Sequence, residues 1–295
     1  MHRISSASTA RLTAALFAFS LVAAAAAGHA QSPPAANPSA SSQSASQAAS
    51  KPSPNDELLA KATKLYYSTT KAGLNSFTCE VHPDWREIML STQPGSTVAA
   101  DDPRVALFKS VKITLHGQLK GGSSLDWNPA PNPEHPPDED STKMLDSMHK
   151  GTNQILLGFM QFWTPFVDGS VIPADSAGLE IAKTEKGHRI HGDVSGTSFT
   201  ELLDDSLILQ HFDVVTGGAI VNFAPSYKPT DKGLLVNAFL AHIQPPGVPP
   251  DQAQEMHVEI EYQTLRGFLI PAKINMDVVK SGTFNFVLDG CTVNQ

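Results

Sequence analysis

A chain of 295 residues with a formal net charge of −8 can form one large domain or two small ones. This acidic balance, with no run of basic residues, argues against nucleic acid or an anionic membrane surface as the default partner. The two cysteines, Cys79 and Cys291, lack the short spacing of zinc or redox motifs.

The first 30 residues have the pattern of a secretory signal peptide. Arg3 and Arg11 form a basic region, residues 12–27 are almost all apolar, and Gly28 and Ala30 supply the small residues of a cleavage site. The apolar run is shorter than the roughly 20 residues of a membrane-spanning helix. We therefore expect cleavage after about Ala30, no transmembrane anchor, and a periplasmic or secreted location. Cleavage would leave 19 basic and 29 acidic residues, a net charge of −10.

Residues 31–54 consist mainly of Ser, Ala, Pro and Gln and contain no large apolar side chain. Such a segment cannot bury enough surface to offset the entropy of ordering, so it is predicted to be a disordered tether. The remaining residues, 55–295, suit a single domain.

The first predicted helix begins with Ser53 as the N-cap and Pro54 at the first helical position. Apolar residues recur at helical spacing as far as Thr69, and Gly73 can supply the left-handed residue that ends the helix. A second, short helix is predicted over residues 103–109.

The most apolar predicted helix covers residues 141–166, with an apolar surface wider than an ordinary stripe. Gly151 and Gly158 weaken it, so the pattern allows either two shorter helices or one that bends. The pattern first favours packing of these side chains on the sheet. Because Met and aromatic side chains adapt to varied apolar shapes, they also suit a cavity that admits lipid chains. The six candidate ligand-binding residues are Met144, Met148, Phe159, Phe162, Trp163 and Phe166.

Alternation of apolar and polar residues predicts many short strands. Strands are predicted at residues 76–81 and 111–120, and after a turn at 121–124 another begins. From Gly178 onward, eight more are separated by short, mostly glycine-containing turns: LEIAK, HRIHGDV, SLILQHFDVV, AIVNFAP, LLVNAFLAHI, HVEIEYQT, FLIPAKINMDVV and TFNFVLDGCTV. The predicted fold is α+β. It consists of an antiparallel sheet with one solvent-exposed face and one apolar face that the helices cover.

The two cysteines are predicted to form a disulfide. Cys79 shares a face with Phe77 and Val81, and a bulge at Asp289-Gly290 would bring Cys291 onto the same inner face. We expect the bond near the two ends of one sheet or curled barrel, and an exported chain favours it over two buried free thiols.

The order of elements resembles the LolA/LolB lipoprotein-carrier superfold. The resemblance covers about residues 55–293 and lies in an N-terminal amphipathic helix, a first strand of the form LNSFTCEV, helices inserted midway, and the closing stretches YQTLRGFLIPAKINM and TFNFVLDGCTV. It implies a strongly curved, half-open β-barrel with helices on its concave face. In the carriers of this family, the resulting cavity receives acyl chains.

No catalytic or metal motif stands out in the sequence. His188 and His191 are three apart on a strand and point to opposite faces, so they do not make a metal site without a bulge. There is no G-x-S-x-G or H-E-x-x-H motif. We expect no enzyme activity, no metal and no cofactor.

The sequence therefore favours an exported protein that binds an apolar ligand, a lipid or an acylated protein, in a half-barrel cavity. Two alternatives remain at this point: a non-catalytic structural or interaction protein of the cell envelope, and, less favoured, a hydrolase. The sequence does not indicate an oligomeric state.

Overall fold

The structure, a computed structural model, describes residues 53–92, 97–129, 138–169 and 171–294. The predicted signal peptide lies outside these ranges, as does the predicted tether except for its last two residues. Those two, Ser53 and Pro54, form the start of the first helix rather than the end of a tether.

Twelve antiparallel strands form one sheet in the order β3-β2-β1-β12-β11-β10-β9-β8-β7-β6-β5-β4. The chain runs as a meander, except that β12 returns to pair with β1, so β3 and β4 are the two edges. The strands are β1 (Ser76–Pro83), β2 (Val111–Gln118), β3 (Ser124–Pro129), β4 (Glu180–Thr184), β5 (Gly187–Val194), β6 (Thr197–Leu203), β7 (Leu209–Thr216), β8 (Ala219–Thr230), β9 (Gly233–Gln244), β10 (Gln254–Leu265), β11 (Phe268–Val278) and β12 (Gly282–Asn294).

Four α-helices accompany the sheet within the described ranges, and a 3₁₀ turn at Pro250–Gln252 lies before β10. The predicted helix at 103–109 is confirmed. The helices are α1 (Pro54–Thr63), α2 (Trp85–Thr92), α3 (Pro103–Lys109) and α4 (Glu139–Asp168).

The first helix begins as predicted but ends ten residues before Gly73. Ser53 caps it, and Asp56 completes a capping box. After Thr63 the chain bonds to the sheet instead: the backbone N–H of Tyr67 donates to the carbonyl of Leu234, 2.9 Å away. The predicted extension to Thr69 is thus wrong, because tertiary hydrogen bonds to β9 replace the last helical turns.

The long helix α4 is continuous over 30 residues and keeps Pro165 in its last turn. Its side chains reach several strands. Phe162 packs on Phe223 of β8 with ring centroids 4.8 Å apart, and His149 stacks on Trp127 of β3 at 5.0 Å. The segment is thus one helix and is not divided into two shorter ones.

Within the described part of the chain, no helix is both long enough and apolar enough to span a membrane.

Two elements were not predicted from the sequence. Helix α2 buries Trp85, Ile88 and Met89, and the Ser91 hydroxyl donates to the carbonyl of Thr283, 3.1 Å away at the start of β12. Strand β6 pairs with both β5 and β7. Its face of Phe199, Glu201 and Leu203 contains a carboxylate, which breaks the apolar alternation expected of a strand.

The disulfide between Cys79 and Cys291 is present, with an S–S distance of 2.05 Å and a sequence separation of 212 residues. Its location differs from the expectation. Strands β1 and β12 are neighbours within the sheet, so the bond joins adjacent strands rather than the two ends of the sheet.

The bulge predicted near the second cysteine is confirmed. Thr78 pairs with Thr292 and Glu80 pairs with Asp289, so one residue of β1 stands opposite two of β12. Gly290 has a φ of +54°, a value that glycine adopts without strain. The extra residue shifts the phase of β12 and allows the second cysteine to face the first.

An aromatic row crosses four neighbouring strands on the covered face. Phe199, Phe212, Phe223 and Phe239 lie on β6 to β9, with successive ring centroids 6.5, 6.4 and 5.8 Å apart. Cross-strand aromatic contacts of this kind stabilise sheet pairing. The row connects the core under α4 to β6, where the cleft described below begins.

Candidate ligand-binding cleft

The six residues proposed from the sequence to contact a ligand lie against the sheet and its core. Trp163 is fully buried, and its indole N–H donates to the Tyr262 hydroxyl 2.9 Å away. Its ring meets Phe77 edge-on at 6.0 Å. Phe159, Phe162 and Phe166 are each at most 5% exposed, and Met144 and Met148 are partly buried against the core. Their role in ligand binding stays a prediction.

A different part of the molecule contains an open cleft of about 820 Å³. It lies between α1, the segment after α4, and strands β5 and β6, and none of the six residues above is among those that line it. The lining residues are Ala60, Thr63, Lys64, Thr70, Lys71, Lys120, Asp168, Gly169, Ile172, Pro173, Ala174, Asp175, Ala177, Leu179, Val194, Phe199 and Glu201.

One side of the cleft is fixed by Asp56 in the first turn of α1. Its carboxylate accepts hydrogen bonds from the backbone N–H and the hydroxyl of Ser176, at 2.9 and 2.7 Å, and from both groups of Ser53. The side-chain bond from Ser176, followed by that from Ser53, holds the pKa of Asp56 well below its usual range. One carboxylate therefore caps α1 and also attaches the 171–179 segment to it.

The wall formed by β5 and β6 is apolar. Phe199 and Leu179 both pack over Gly192. A Cβ atom added at Gly192 would lie only 2.8 Å from the Phe199 ring and 2.6 Å from the Leu179 side chain. A residue with a side chain at this position would push both outward. Val194, at the end of β5, extends the wall and remains 37% exposed. Because position 192 is a glycine, Phe199 and Leu179 can pack directly on its backbone and form a continuous apolar surface.

Glu201 is the unusual group of this wall. It lies on β6 between the inward-facing Phe199 and Leu203 and is only 2% exposed. Among the described residues, its Oε2 atom has no hydrogen-bond partner. Burial raises the pKa of Glu201 well above its usual range, which favours the neutral carboxyl group, a form that can donate a hydrogen bond.

The Glu201 carboxyl lies close to two tyrosines. The Tyr66 and Tyr227 rings are in edge contact at 5.3 Å, and the Tyr66 hydroxyl accepts a hydrogen bond from the backbone N–H of Leu209 at 2.7 Å. Burial raises the pKa of Tyr66 to about 12, and Glu201 is close enough to contribute to that rise. The carboxyl is therefore placed near the point where the chain leaves α1.

Three lysines line the cleft. Lys64 is the C-cap residue of α1, Lys71 follows in the next turn, and Lys120 lies between β2 and β3. All three are exposed, and none forms an ion pair within the described ranges. The acidic residues of the lining are Asp168, Asp175 and Glu201, so the cleft contains three lysines and three acids.

Replacing Glu201 with Leu should change how stability depends on pH. Because the folded pKa of this acid is raised, the wild type loses stability as pH rises above the ordinary value of 4.5, by at most about 1.4 kcal/mol per pH unit. The variant lacks this loss. Its advantage in the free energy of unfolding should therefore increase as the pH rises above about 4.5, measured by urea denaturation at a series of pH values.

Glu201→Gln is the matched control, because it keeps the shape of the side chain but does not titrate. It should show the same weaker pH dependence as Glu201→Leu. If wild type and both variants lose stability in parallel across this range, the acid is not buried in the way described.

The histidine pair considered from the sequence does not converge. His191 has its Nδ1 atom 3.1 Å from the Thr200 hydroxyl and its Nε2 atom 3.8 Å from Asp193. His188 lies on the other face, opposite Leu203. Across the part of the chain that the structure describes, no three His, Cys, Asp or Glu side chains group as metal ligands would.

Strand β6, which forms one wall of the cleft, was not predicted from the sequence. The signal that was available is the pattern Phe199-x-Glu201-x-Leu203, an acid at an inward position between two large apolar side chains. Such a position points to a buried carboxyl group and hence to a perturbed pKa.

Comparisons with protein-family models, with curated proteins and with solved structures found no match to this chain.

Proposed function

We propose that the protein is exported and binds an apolar ligand, a lipid or an acylated protein, in the cleft between α1 and strands β5 and β6. The observation that carries this proposal is the cleft itself. Its volume of about 820 Å³ lies within the range of small-molecule sites. Its wall of Ile172, Leu179, Val194 and Phe199 offers apolar surface to a ligand, with a few polar groups to orient it.

In this proposal the sheet is strongly curved, as a half-open barrel. Strands β2 and β6 are eight strand spacings apart in the sheet order, which is about 38 Å in a flat sheet. Yet Lys120, just beyond β2, and Glu201 on β6 line the same cleft. A curled sheet brings the two together. The contact of Trp163 with both Phe77 on β1 and Tyr262 on β10 supports the same curvature.

Export is supported by the disulfide between Cys79 and Cys291, because such bonds persist in oxidising compartments such as the periplasm. The apolar N-terminal run described above gives the second reason.

A pair of valine variants tests the cleft. Val194 and Val215 are both exposed residues of the β5–β7 region, at 37% and 43%, but only the first lines the cleft. Val194→Asp places a charge in the apolar wall and should weaken binding of dansyl-undecanoic acid about tenfold or more, since an apolar chain cannot pair that charge. Val215→Asp should leave binding unchanged, and both variants should stay folded by circular dichroism.

The alternative is a non-catalytic structural or interaction protein of the envelope, whose apolar surface is filled by its own helix. The burial of Phe159, Trp163 and Phe166 against the sheet favours this reading for α4. If neither wild type nor Val215→Asp binds the fluorescent fatty acid or retains lipid in native mass spectrometry, the ligand-binding proposal is wrong and this alternative is preferred.

A further inference from the structure

The cleft has two chemically different ends, and α1 connects them. At the N-terminus of α1, Asp56 bonds to Ser176, which places the neighbouring Ala177 and Leu179 at that end. At its C-terminus, eight residues and about 12 Å beyond Asp56, lies Lys64. The first end joins the apolar wall, and the second carries Lys64 and Lys71. The N–H of Leu119 donates to the carbonyl of Asn75 at 3.2 Å, which brings Lys120 close to the turn that carries Lys71.

The cationic end also contains the buried acid. Ser68 donates a hydrogen bond to the carbonyl of Asp168 at 2.9 Å, which brings the turn that carries Lys71 against the end of α4. Glu201 lies close to Tyr66, two residues beyond Lys64. Cationic groups and an unpartnered carboxyl oxygen are thus grouped at one end of an apolar cleft.

The unpartnered Oε2 atom of Glu201 is the second, independent sign of a ligand. Buried polar atoms in folded proteins almost always have a partner, and one that lacks it is explained by a water, an ion or a ligand. This atom belongs to a side chain that is 2% exposed and lines the cleft. A ligand oxygen that accepts a hydrogen bond from the neutral carboxyl group would satisfy it.

Building on the function proposed above, we propose that the ligand is an anionic amphiphile with a single apolar chain. Its carboxylate or phosphate head lies among Lys64, Lys71 and Lys120, where one head-group oxygen accepts a hydrogen bond from Glu201. Its chain runs toward Leu179 and Val194. An anionic head suits this end because its cations have no ion-pair partner among the described residues.

The first test compares three probes that differ only in their head group: palmitic acid, 1-palmitoyl lysophosphatidic acid and hexadecanol. Each is titrated against the full-chain protein as a competitor of dansyl-undecanoic acid. We expect the two anionic probes to bind about tenfold or more tightly than hexadecanol. Binding of both anions means that any anionic head suffices. Binding of only the phosphate probe identifies a phospholipid as the source of the head group.

The triple variant Lys64→Gln, Lys71→Gln and Lys120→Gln should remove the preference for anionic probes and leave hexadecanol affinity unchanged. A control of equal charge replaces three exposed lysines outside the cleft, Lys109, Lys186 and Lys280, with Gln. This control should keep the preference. If the control loses it as well, the preference comes from net charge and the assigned head-group site is wrong.

The role of Glu201 is tested by two variants. Glu201→Leu should raise the thermal midpoint, because it removes a buried acid, yet weaken palmitate binding about tenfold. Glu201→Gln keeps a donor and should bind palmitate within about threefold of wild type. A purely structural acid would not give higher stability together with weaker binding. Unchanged palmitate affinity in Glu201→Leu would mean that water satisfies the acid, and the assignment fails.

The outcomes also separate this inference from the proposed function. Equal affinity for palmitate and hexadecanol overturns the head-group site while leaving an apolar ligand in place. Failure of all three probes to bind overturns both.

Discussion

Removal of the disulfide through Cys79→Ala together with Cys291→Ala should lower the free energy of unfolding by several kcal/mol. The bond closes a loop with a sequence separation of 212 residues, and the chain-entropy relation gives about 5 kcal/mol for a loop of that length, as an upper value. Urea denaturation of wild type and double variant, both oxidised, measures the difference.

Reduction supplies the control for this prediction. Dithiothreitol should destabilise the wild type to about the level of the double variant, and it should not affect the double variant. Alkylation of natively folded, exported protein should find no free thiol. Two alkylatable thiols in the native protein, or a double variant as stable as the wild type, would contradict the account of the bond.

Replacing Trp163 with Ala should cost about 3–5 kcal/mol of unfolding free energy, because it removes a fully buried ring. The ring contacts Phe77 and Phe159, and its N–H donates to Tyr262. Trp163→Phe is the matched control: it keeps an aromatic ring but removes the N–H, and should cost markedly less. Thermal or urea denaturation of the three proteins measures both effects.

The same variants test whether the α4 stripe contacts a ligand. If it does, adding palmitate should shift the fluorescence of Trp163, and the Trp163→Ala protein should lose that response while it stays folded. A large loss of stability with unchanged affinity for dansyl-undecanoic acid would show that Trp163 is a core residue and that the ligand binds elsewhere, as the cleft requires. Equal stability of wild type and Trp163→Ala would contradict the packing described.

Much of the fold follows from local patterns in the sequence. The capping box at Ser53, the alternation in Val111–Gln118 and the displaced phase of Cys291 each depend on residues within a few positions of one another. Such signals survive in any context, because caps, pleats and bulges are set by the local backbone. The pairing of the two cysteines was predictable for a different reason: there are only two.

The predictions that were wrong concern features set by contacts between residues far apart in the sequence. The first helix ends at Thr63 because the backbone after it bonds to β9: the N–H of Tyr67 donates to the carbonyl of Leu234, and the N–H of Leu234 donates to the carbonyl of Leu65. No local spacing encodes these tertiary bonds. The adjacency of β1 and β12, which places the disulfide inside the sheet, is likewise set by the path of the whole chain. Strand β6 was missed because Glu201 interrupts its apolar face.

The candidate site was the least predictable part. The cleft combines α1, the 171–179 segment, β5, β6 and the residue Lys120, which are far apart in sequence. The apolar stripe of α4 was predicted to contact a ligand because its residues lie close together in the sequence. In the structure, most of that surface is covered by the sheet. A site assembled from five separated segments has no sequence motif to reveal it.

The most direct test of the central claim is photo-crosslinking with a diazirine analogue of palmitic acid on the full-chain protein, followed by peptide mapping. Binding in the cleft predicts adducts within residues 171–179 and 194–201 that excess palmitic acid prevents and that Val194→Asp strongly reduces. Adducts confined to residues 144–166, or labelling that palmitic acid does not compete, would contradict binding in the cleft.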